Sequence, residues 1–243
     1  MIRAHLASFP ERHAQLADVV ARMAPQVDHL TVVLNDYATV PEALTTYTNV
    51  EAVLPDRDVK DAGKFWSAPA PDDIVFLIDD DLGYPADYVH QTLEHIERCD
   101  MEASVFAYQG NAWIREDGRI RTEAYMFRQP LDQITGAGLV GTGTVCTLGR
   151  HMPDMGTMES SAGFVDVRFC AHLFERNILP WVLPRAKKWL TSILPRELKA
   201  NSLYQTVHQR QPGLYLSELM GFAPKWPHMG RTYSDFHAPA RAV

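Results

Sequence analysis

The sequence predicts an α/β protein in which helices cover both faces of a central, mostly parallel sheet. Three observations support this prediction. Short apolar runs that are typical of buried strands recur through the first hundred residues, and stretches with helical spacing separate them. The run Ile74–Ile78 (IVFLI) is too short for a buried helix and is rich in β-forming residues. Strands that alternate with helices form βαβ units, whose sheets are parallel.

The elements of the first half follow from their periodicity. The predicted strands are Ile2–Ser8, Leu30–Leu34, Val50–Leu54 and Ile74–Ile78. The first predicted helix has apolar residues at i, i+3, i+4 and i+7, namely Leu16, Val19, Val20 and Met23. A second helix is predicted to begin near Pro85, because proline is favoured in a first turn, and to turn Val89, Leu93 and Ile96 inward.

The second half is less regular. Its predicted strands are Ser104–Tyr108, a strand near Val140–Leu148, and Ile178–Leu183. The stretch Ile114–Phe127 predicts a hairpin, because Asp117-Gly118 in its middle is a turn pair. Helical spacing is shared by Phe164, Val167, Ala171 and Phe174. A chain of 243 residues suits one sizeable domain, and we expect residues 1–243 to form it.

Composition restricts the function. Apolar residues make up 46% and charged residues 22%, as in ordinary globular proteins, and the net charge of −7 argues against a protein that binds nucleic acid by general electrostatic attraction. The three cysteines show no metal-ligand spacing, which favours buried, reduced thiols in a cytoplasmic protein. No run of 18 apolar residues occurs, so neither a signal peptide nor a membrane span is predicted.

The run Asp79-Asp80-Asp81 directly follows the predicted strand Ile74–Ile78. Three adjacent carboxylates at the end of a buried strand repel one another and lose solvation, which is costly unless a cation binds there. Hard divalent cations such as Mg²⁺ and Mn²⁺ prefer carboxylate oxygens. Ligands of open α/β sheets bind at this end of the strands. The alternative is a solvated acidic turn that caps the next helix.

Four segments resemble glycosyltransferases of the GT-A fold, most closely the family 2-like enzymes of bacterial polysaccharide assembly. They are HLASFPER (His5–Arg12), VVLNDY (Val32–Tyr37), DAGKF (Asp61–Phe65) and IVFLIDDDLGY (Ile74–Tyr84), the last resembling the DxD region. The resemblance covers roughly residues 2–100. It implies a GT-A-like, Rossmann-like sheet, with residues 1–110 binding the nucleotide sugar and 111–243 the acceptor.

The resemblance also implies an activity and its partners. The chain would transfer a sugar from a UDP- or GDP-linked donor to a hydroxyl of a glycan or lipid-linked acceptor, with Mn²⁺ or Mg²⁺ and with inversion. It assigns the nucleotide sugar to Ser8, Arg12, Asn35, Tyr37, Lys64, Asp79 and Asp80. Asp81 is the first choice for the metal, together with Asp79. The alternatives are a solvated Arg12, a turn-forming Asn35 and a surface Lys64.

An inverting transfer needs a carboxylate that deprotonates the acceptor hydroxyl. Asp166 is the first candidate for this base and Glu159 the second, because the family's base comes from the start of a helix beyond the middle of the sheet. The apolar residues around Asp166 would raise its pKa towards a useful range. Alternatively, Asp166 satisfies backbone amides at a helix N-terminus. A further metal ligand could be any of His208, His228 and His237.

Two further segments have open interpretations. Pro184–Pro195 (PRAKKWLTSILP) has three interpretations. It is a basic amphipathic helix at a membrane surface, near a lipid-linked acceptor, or a segment that places Arg185 or Lys188 over the donor diphosphate, or an ordinary half-buried helix. Gly136–Gly149 is rich in glycine and threonine and is either an acceptor-side wall or a close-packed strand. The competing functions are a metal-dependent nucleotidyltransferase and a non-catalytic protein that binds a nucleotide or sugar.

Overall fold

The structure is a computed structural model that describes residues 1–195, 197–198 and 212–238. Its strands are β1 (Ile2–Ser8), β2 (His29–Leu34), β3 (Val50–Val53), β4 (Ile74–Ile78), β5 (Leu82–Gly83), β6 (Ser104–Ala107), β7 (Gly110–Glu116), β8 (Arg119–Tyr125), β9 (Thr135–Gly136), β10 (Leu139–Val140), β11 (Thr144–Leu148), β12 (Leu179–Val182) and β13 (Thr191–Ser192). Its α-helices are α1 (His13–Met23), α2 (Glu42–Thr45), α3 (Tyr88–Ile96), α4 (Met155–Glu159), α5 (Val165–Glu175), α6 (Pro212–Phe222) and α7 (Tyr233–His237).

The main sheet has eight strands in the order β3-β2-β1-β4-β11-β6-β12-β9. All of them except β11 and β9 run in one direction. The hairpin of β7 and β8 forms a small sheet with β10, as its Asp117-Gly118 turn predicted. The predicted α/β fold with a mostly parallel central sheet is therefore confirmed, and the two antiparallel strands both come from the less regular second half.

Helices cover the two faces of this sheet because strand side chains alternate between them. Along β4, Phe76 and Ile78 face one hydrophobic core, which also holds the apolar residues of α1 and α3. Val75 and Leu77 face the other core, which holds those of α5 and α6. A strand buried on both faces must be apolar throughout, which explains the continuous IVFLI run.

The helix predicted to begin near Pro85 begins three residues later, at Tyr88. Pro85 lies in the preceding turn, where its carbonyl accepts a hydrogen bond from the Tyr88 amide at 3.1 Å. The inward face is as predicted, since Val89 and Ile96 are buried and Leu93 packs against the same core.

The prediction of a helix over Pro184–Pro195 is wrong. The segment contains a turn at residues 187–188 and a short strand, Thr191–Ser192 (β13), which pairs antiparallel with Leu82–Gly83 (β5). Lys188 has a φ of +61°, a left-handed conformation that ends helical geometry. Because the segment is not helical, it cannot be an amphipathic membrane helix.

Two other expectations concern the whole chain. Cys99, Cys146 and Cys170 are free thiols, and the latter two are buried, as predicted. Among residues 1–195, 197–198 and 212–238, no helix combines the length and the apolar character needed to cross a membrane.

The strand order places a ligand crevice beside the aspartate run. From β1 the chain proceeds to β2 and β3 on one side, and then returns to β4 on the other side of β1. In open α/β sheets such a reversal opens a crevice at the carboxyl ends of the two central strands. Here those ends are Ser8 of β1 and Ile78 of β4, which Asp79 follows directly.

Candidate functional site

A cavity of about 180 Å³ opens at this edge of the sheet. Its walls are Asp79, Asp81, Leu82, Gln109, Phe127, Gly141, Gly143, Thr144 and Asp166. Two of its three carboxylates follow β4, and the third comes from the first turn of α5. The first choices for metal ligand and base thus line one cavity, although they lie far apart in the sequence.

Asp80 lies behind the cavity and ties the end of β4 to β1. Its carboxylate accepts a hydrogen bond from the Ser8 hydroxyl at 2.6 Å and another from the Arg12 guanidinium at 3.3 Å. The same Arg12 nitrogen lies 3.0 Å from a carboxylate oxygen of Asp81. Arg12 is buried, so the alternative of a solvated residue at a helix start is wrong. It serves as the counter-ion of two aspartates.

Burial controls the ionisation of both of these aspartates. It raises the pKa of Asp80 to about 7, although the charge of Arg12 and the Ser8 hydrogen bond act in the opposite direction. Burial also raises the pKa of Asp81, and the neighbouring charge of Asp79 adds to this effect. The ionised form of the cluster is therefore held under electrostatic strain, even with Arg12 in place.

We expect Asp80→Asn to raise the melting temperature by about 3 °C at pH 8 and by less at pH 5. The folded pKa of Asp80 is about 7, well above the ordinary value of an aspartate, 3.8. Between these values the folded state binds more protons than the unfolded state, so the wild-type protein loses stability as pH rises towards 7. The amide avoids this loss and can still accept the Ser8 hydrogen bond.

Thermal unfolding at the two pH values measures the difference. The control is Asp18→Asn, a half-exposed aspartate, which should shift the melting temperature by less than about 1 °C. A gain from Asp80→Asn that is equal at pH 5 and pH 8 would contradict the explanation.

Lys64 links the two sides of the cavity. Its ammonium group forms an ion pair with Asp79 and donates to the Thr142 hydroxyl at 3.3 Å. The residue is buried, so the alternative of a surface lysine is wrong. Burial alone would lower the pKa of Lys64, but the charges of Asp79 and Asp166 outweigh it and the pKa is raised. Lys64 is therefore a charged group inside the protein.

Asp166 is fixed by Thr142 and not by the amides of its own helix. One carboxylate oxygen accepts hydrogen bonds from the Thr142 amide at 2.8 Å and from its hydroxyl at 2.6 Å. Burial raises the pKa of Asp166, and the charge of Lys64 opposes the rise. The second oxygen has no hydrogen-bond partner among the described residues, so it is free to accept a proton. Glu159, the second candidate, is instead exposed and bound to Arg57 at 2.7 Å.

One glycine of the Gly136–Gly149 segment, Gly143, makes room for Asp79. A Cβ atom on Gly143 would lie 2.0 Å from a carboxylate oxygen of Asp79, so only glycine fits there without displacing this side chain. The Tyr84 hydroxyl donates to the Gly143 carbonyl at 2.6 Å and accepts from the Asp79 amide at 2.8 Å. The segment thus forms a wall of the cavity, and its close packing at Gly143 leaves space for the Asp79 side chain.

Asn35 and Tyr37 lie on the other side of β1, outside the cavity walls. The Asn35 amide accepts from the Val59 amide at 2.9 Å and donates to the Lys60 carbonyl at 3.0 Å, so it anchors the loop that leads to Lys64. The Tyr37 hydroxyl donates to the Phe9 carbonyl at 3.2 Å. Contact of these two residues with a base or ribose stays a prediction.

The histidines named as further metal ligands lie elsewhere or outside the described residues. His228 is buried, where one ring nitrogen lies 2.8 Å from the Pro180 carbonyl, and its ring packs against Trp181. His237 is exposed and packs against Tyr233. Neither lines the cavity. His208 falls outside the described residues.

The residues at the cavity fit a divalent cation in part. Asp79 and Asp81 each have one carboxylate oxygen engaged by Lys64 or Arg12, and the other oxygen is without a hydrogen-bond partner among the described residues. Such oxygens suit Mg²⁺ or Mn²⁺. Within the described part of the chain, no group of three or more His, Cys, Asp or Glu residues could hold a metal ion. A cation here would depend on water and on oxygens of its substrate.

Four residues of the site escaped prediction as functional residues. Gln109 and Phe127 line the cavity, and Thr142 positions Asp166. Asp61 accepts a hydrogen bond from the Gly163 amide just before α5, and burial raises its pKa to about 6. Asp61 and Thr142 had a signal, because they belong to the DAGKF and Gly136–Gly149 segments. The others come from loops whose approach to the cavity depends on long-range folding.

Comparisons with known proteins leave the function open. No protein-family model matches the chain, and no curated protein sequence matches it significantly. Among solved structures it is similar to a 4-diphosphocytidyl-2C-methyl-D-erythritol synthase, with 12% identity, a TM-score of 0.47 and coverage of 84% of this chain and 98% of the other. It is also similar to a mannose-6-phosphate isomerase from Helicobacter pylori, with 12% identity, a TM-score of 0.40 and coverage of 76% and 86%. Similarity at this level does not bear on the reaction.

Proposed function

We propose that the protein is a glycosyltransferase that moves a sugar from a nucleoside-diphosphate sugar to an acceptor hydroxyl with a divalent cation and with inversion. The observation that carries this proposal is the shared cavity of Asp79, Asp81 and Asp166. A carboxylate pair for a cation and a separate carboxylate for a proton are the two requirements of such a transfer. The resemblance of His5–Arg12 and Ile74–Tyr84 to the GT-A family supports it.

The donor side of the cavity comprises the residues after β4. Asp79 and Asp81 would hold Mn²⁺ or Mg²⁺, which supplies Lewis-acid neutralisation of the charge on the leaving diphosphate. Arg12 keeps Asp80 and Asp81 in place through its two ion pairs. Lys64 is the buried cation that forms an ion pair with Asp79, and its ammonium group can bind a phosphate oxygen.

The acceptor side comprises Asp166 and the walls opposite β4. The carboxylate oxygen of Asp166 that Thr142 leaves free accepts the proton of the acceptor hydroxyl. A raised pKa makes this carboxylate a stronger base than an exposed aspartate, while Lys64 favours its ionised form. Gln109 can hydrogen bond to sugar hydroxyls and Phe127 can pack on an apolar sugar face.

The competing functions make different demands. Nucleotidyl transfer suits a glycine-rich, basic loop after the first strand, but His5–Arg12 contains no glycine, and its one arginine is engaged by two aspartates. A non-catalytic binder has no need for a desolvated carboxylate beside the cation-binding pair. Asp166 therefore favours the glycosyltransferase.

Product analysis separates the three functions. The protein is incubated with Mn²⁺ and a panel of UDP- and GDP-sugars with glycan acceptors, and in parallel with nucleoside triphosphates and sugar phosphates. We expect release of nucleoside diphosphate in the first set. Release of pyrophosphate in the second set would identify a nucleotidyltransferase instead. Metal-dependent thermal stabilisation by a nucleoside diphosphate, with no product in either set, would identify a binding protein.

A further inference from the structure

Lys64 is unusual because its charge is buried while its anionic partner is not. The side chain of Lys64 is 4% exposed, whereas that of its ion-pair partner Asp79 is 39% exposed and faces the cavity. The lysine reaches Asp79 from within the protein, and its second contact is the Thr142 hydroxyl. One carboxylate is thus available both to an internal cation and to a ligand in the cavity.

The charges around Lys64 do not balance. The carboxylates of Asp79, Asp166 and Asp61 all act on Lys64 electrostatically. In the described part of the chain, no other cation forms an ion pair with any of these three. Arg12, the neighbouring buried cation, already serves Asp80 and Asp81. A buried ammonium group that lost Asp79 would lose its direct anionic partner, at a considerable cost in free energy.

We propose that Lys64 is an internal counter-ion that neutralises Asp79 in the absence of ligands and transfers to a donor phosphate when a divalent cation binds Asp79, so that cation and nucleotide bind cooperatively. The inference rests on the proposed function only in assuming a cation and a diphosphate at this cavity. A cation alone must compete with Lys64 for Asp79. A diphosphate alone attracts Lys64 away from an aspartate that then has no counter-ion. Together they give both groups a partner.

Cooperativity of this kind is a coupling free energy, and it is reciprocal. The nucleotide tightens binding of the cation by the same factor by which the cation tightens binding of the nucleotide. Removal of the lysine charge should reduce the coupling, because Asp79 then has no internal cation to be displaced, and only direct contact between the cation and the phosphate oxygens remains.

Binding of Mn²⁺ is measured by electron paramagnetic resonance of the free ion, with and without saturating UDP or GDP, and corrected for the Mn²⁺–nucleotide complex that forms in solution. For the wild-type protein we expect one of these nucleotides to tighten Mn²⁺ binding at least tenfold. For Lys64→Met we expect Mn²⁺ alone to bind about 3- to 10-fold more tightly than to the wild type, and the coupling factor to fall to about a third of the wild-type value or less.

The control is Lys60→Met, an exposed lysine of the same segment, for which the wild-type coupling should be retained. Lys64→Arg keeps the charge and should retain part of the coupling. Equal coupling in Lys64→Met and the wild type would overturn the inference, as would an absence of Mn²⁺ binding. Additive binding in the wild-type protein overturns it even if Lys64→Met fails to fold.

The assay of sugar transfer tests the proposed function separately. Coupled binding without transfer of any sugar rejects the glycosyltransferase and leaves the role of Lys64 intact. Transfer by a protein in which Mn²⁺ and nucleotide bind independently rejects the role of Lys64 alone.

Discussion

Asp166→Asn is expected to lower turnover by about 10³-fold while donor binding stays within about twofold of the wild type. The amide has the size of the carboxylate, and its oxygen can still accept the hydrogen bonds from Thr142. It lacks the basicity to take a proton from the acceptor, so the loss should fall on the chemical step. Turnover is measured with the donor and acceptor found in the product panel, and donor affinity by isothermal titration calorimetry.

Glu159→Gln is the matched control, because Glu159 is the second candidate for the base. Its carboxylate is exposed and bound to Arg57. This substitution should leave turnover within about twofold, as expected of a surface ion pair outside the cavity. If Glu159→Gln instead reduced turnover a thousandfold and Asp166→Asn did not, the assignment of the base to Asp166 would be wrong.

Arg12→Gln is expected to lower the free energy of unfolding by about 3 kcal/mol at pH 8. Its guanidinium is the buried counter-ion of Asp80 and Asp81, and it also lies 5.4 Å from the centre of the Phe9 ring. Its removal leaves two desolvated carboxylates that repel each other. Arg12 holds the pKa of Asp80 down to about 7, so its removal raises that pKa further, and protonation of Asp80 should make the cost smaller below pH 7 than at pH 8.

Urea denaturation at pH 8 measures the loss. Arg22→Gln is the control, because Arg22 forms an ion pair with Asp18 in which both side chains are nearly half exposed. Such an exposed pair contributes little, so the control should cost less than about 0.5 kcal/mol. Equal costs for the two substitutions would mean that Arg12 does not hold the aspartate cluster together.

The sequence allowed prediction of most of the first hundred residues because their structure follows from local pattern. The spacing of Leu16, Val19, Val20 and Met23 admits one buried face, and these residues are buried on α1. Asp79-Asp80-Asp81 stands at the end of a strand whose apolar character requires burial on both sides. In an α/β sheet that position coincides with the edge where ligands bind, so the short segment predicts where a site would lie.

The second half resisted prediction because its structure depends on distant partners. Trp189, Leu190 and Ile193 have apolar spacing compatible with a helix, but Thr191–Ser192 pairs with Leu82–Gly83, and that pairing prevails over local preference. In the same way, Thr142 reaches Asp166 only after the main sheet has formed. A single sequence contains no record of these contacts.

Two hydrogen bonds fix the backbone of the aspartate run, one at Asp79 and one at Asp81. The Asp79 amide donates to the Tyr84 hydroxyl, and the Asp81 carbonyl accepts from the Ile193 amide at 2.9 Å. Ordering of a mobile acidic loop upon ligand binding would cost conformational entropy for every residue that becomes fixed. In this protein the backbone of the aspartate run is already ordered in the folded state. A donor would therefore need to reorient only a few side chains, which favours rapid association.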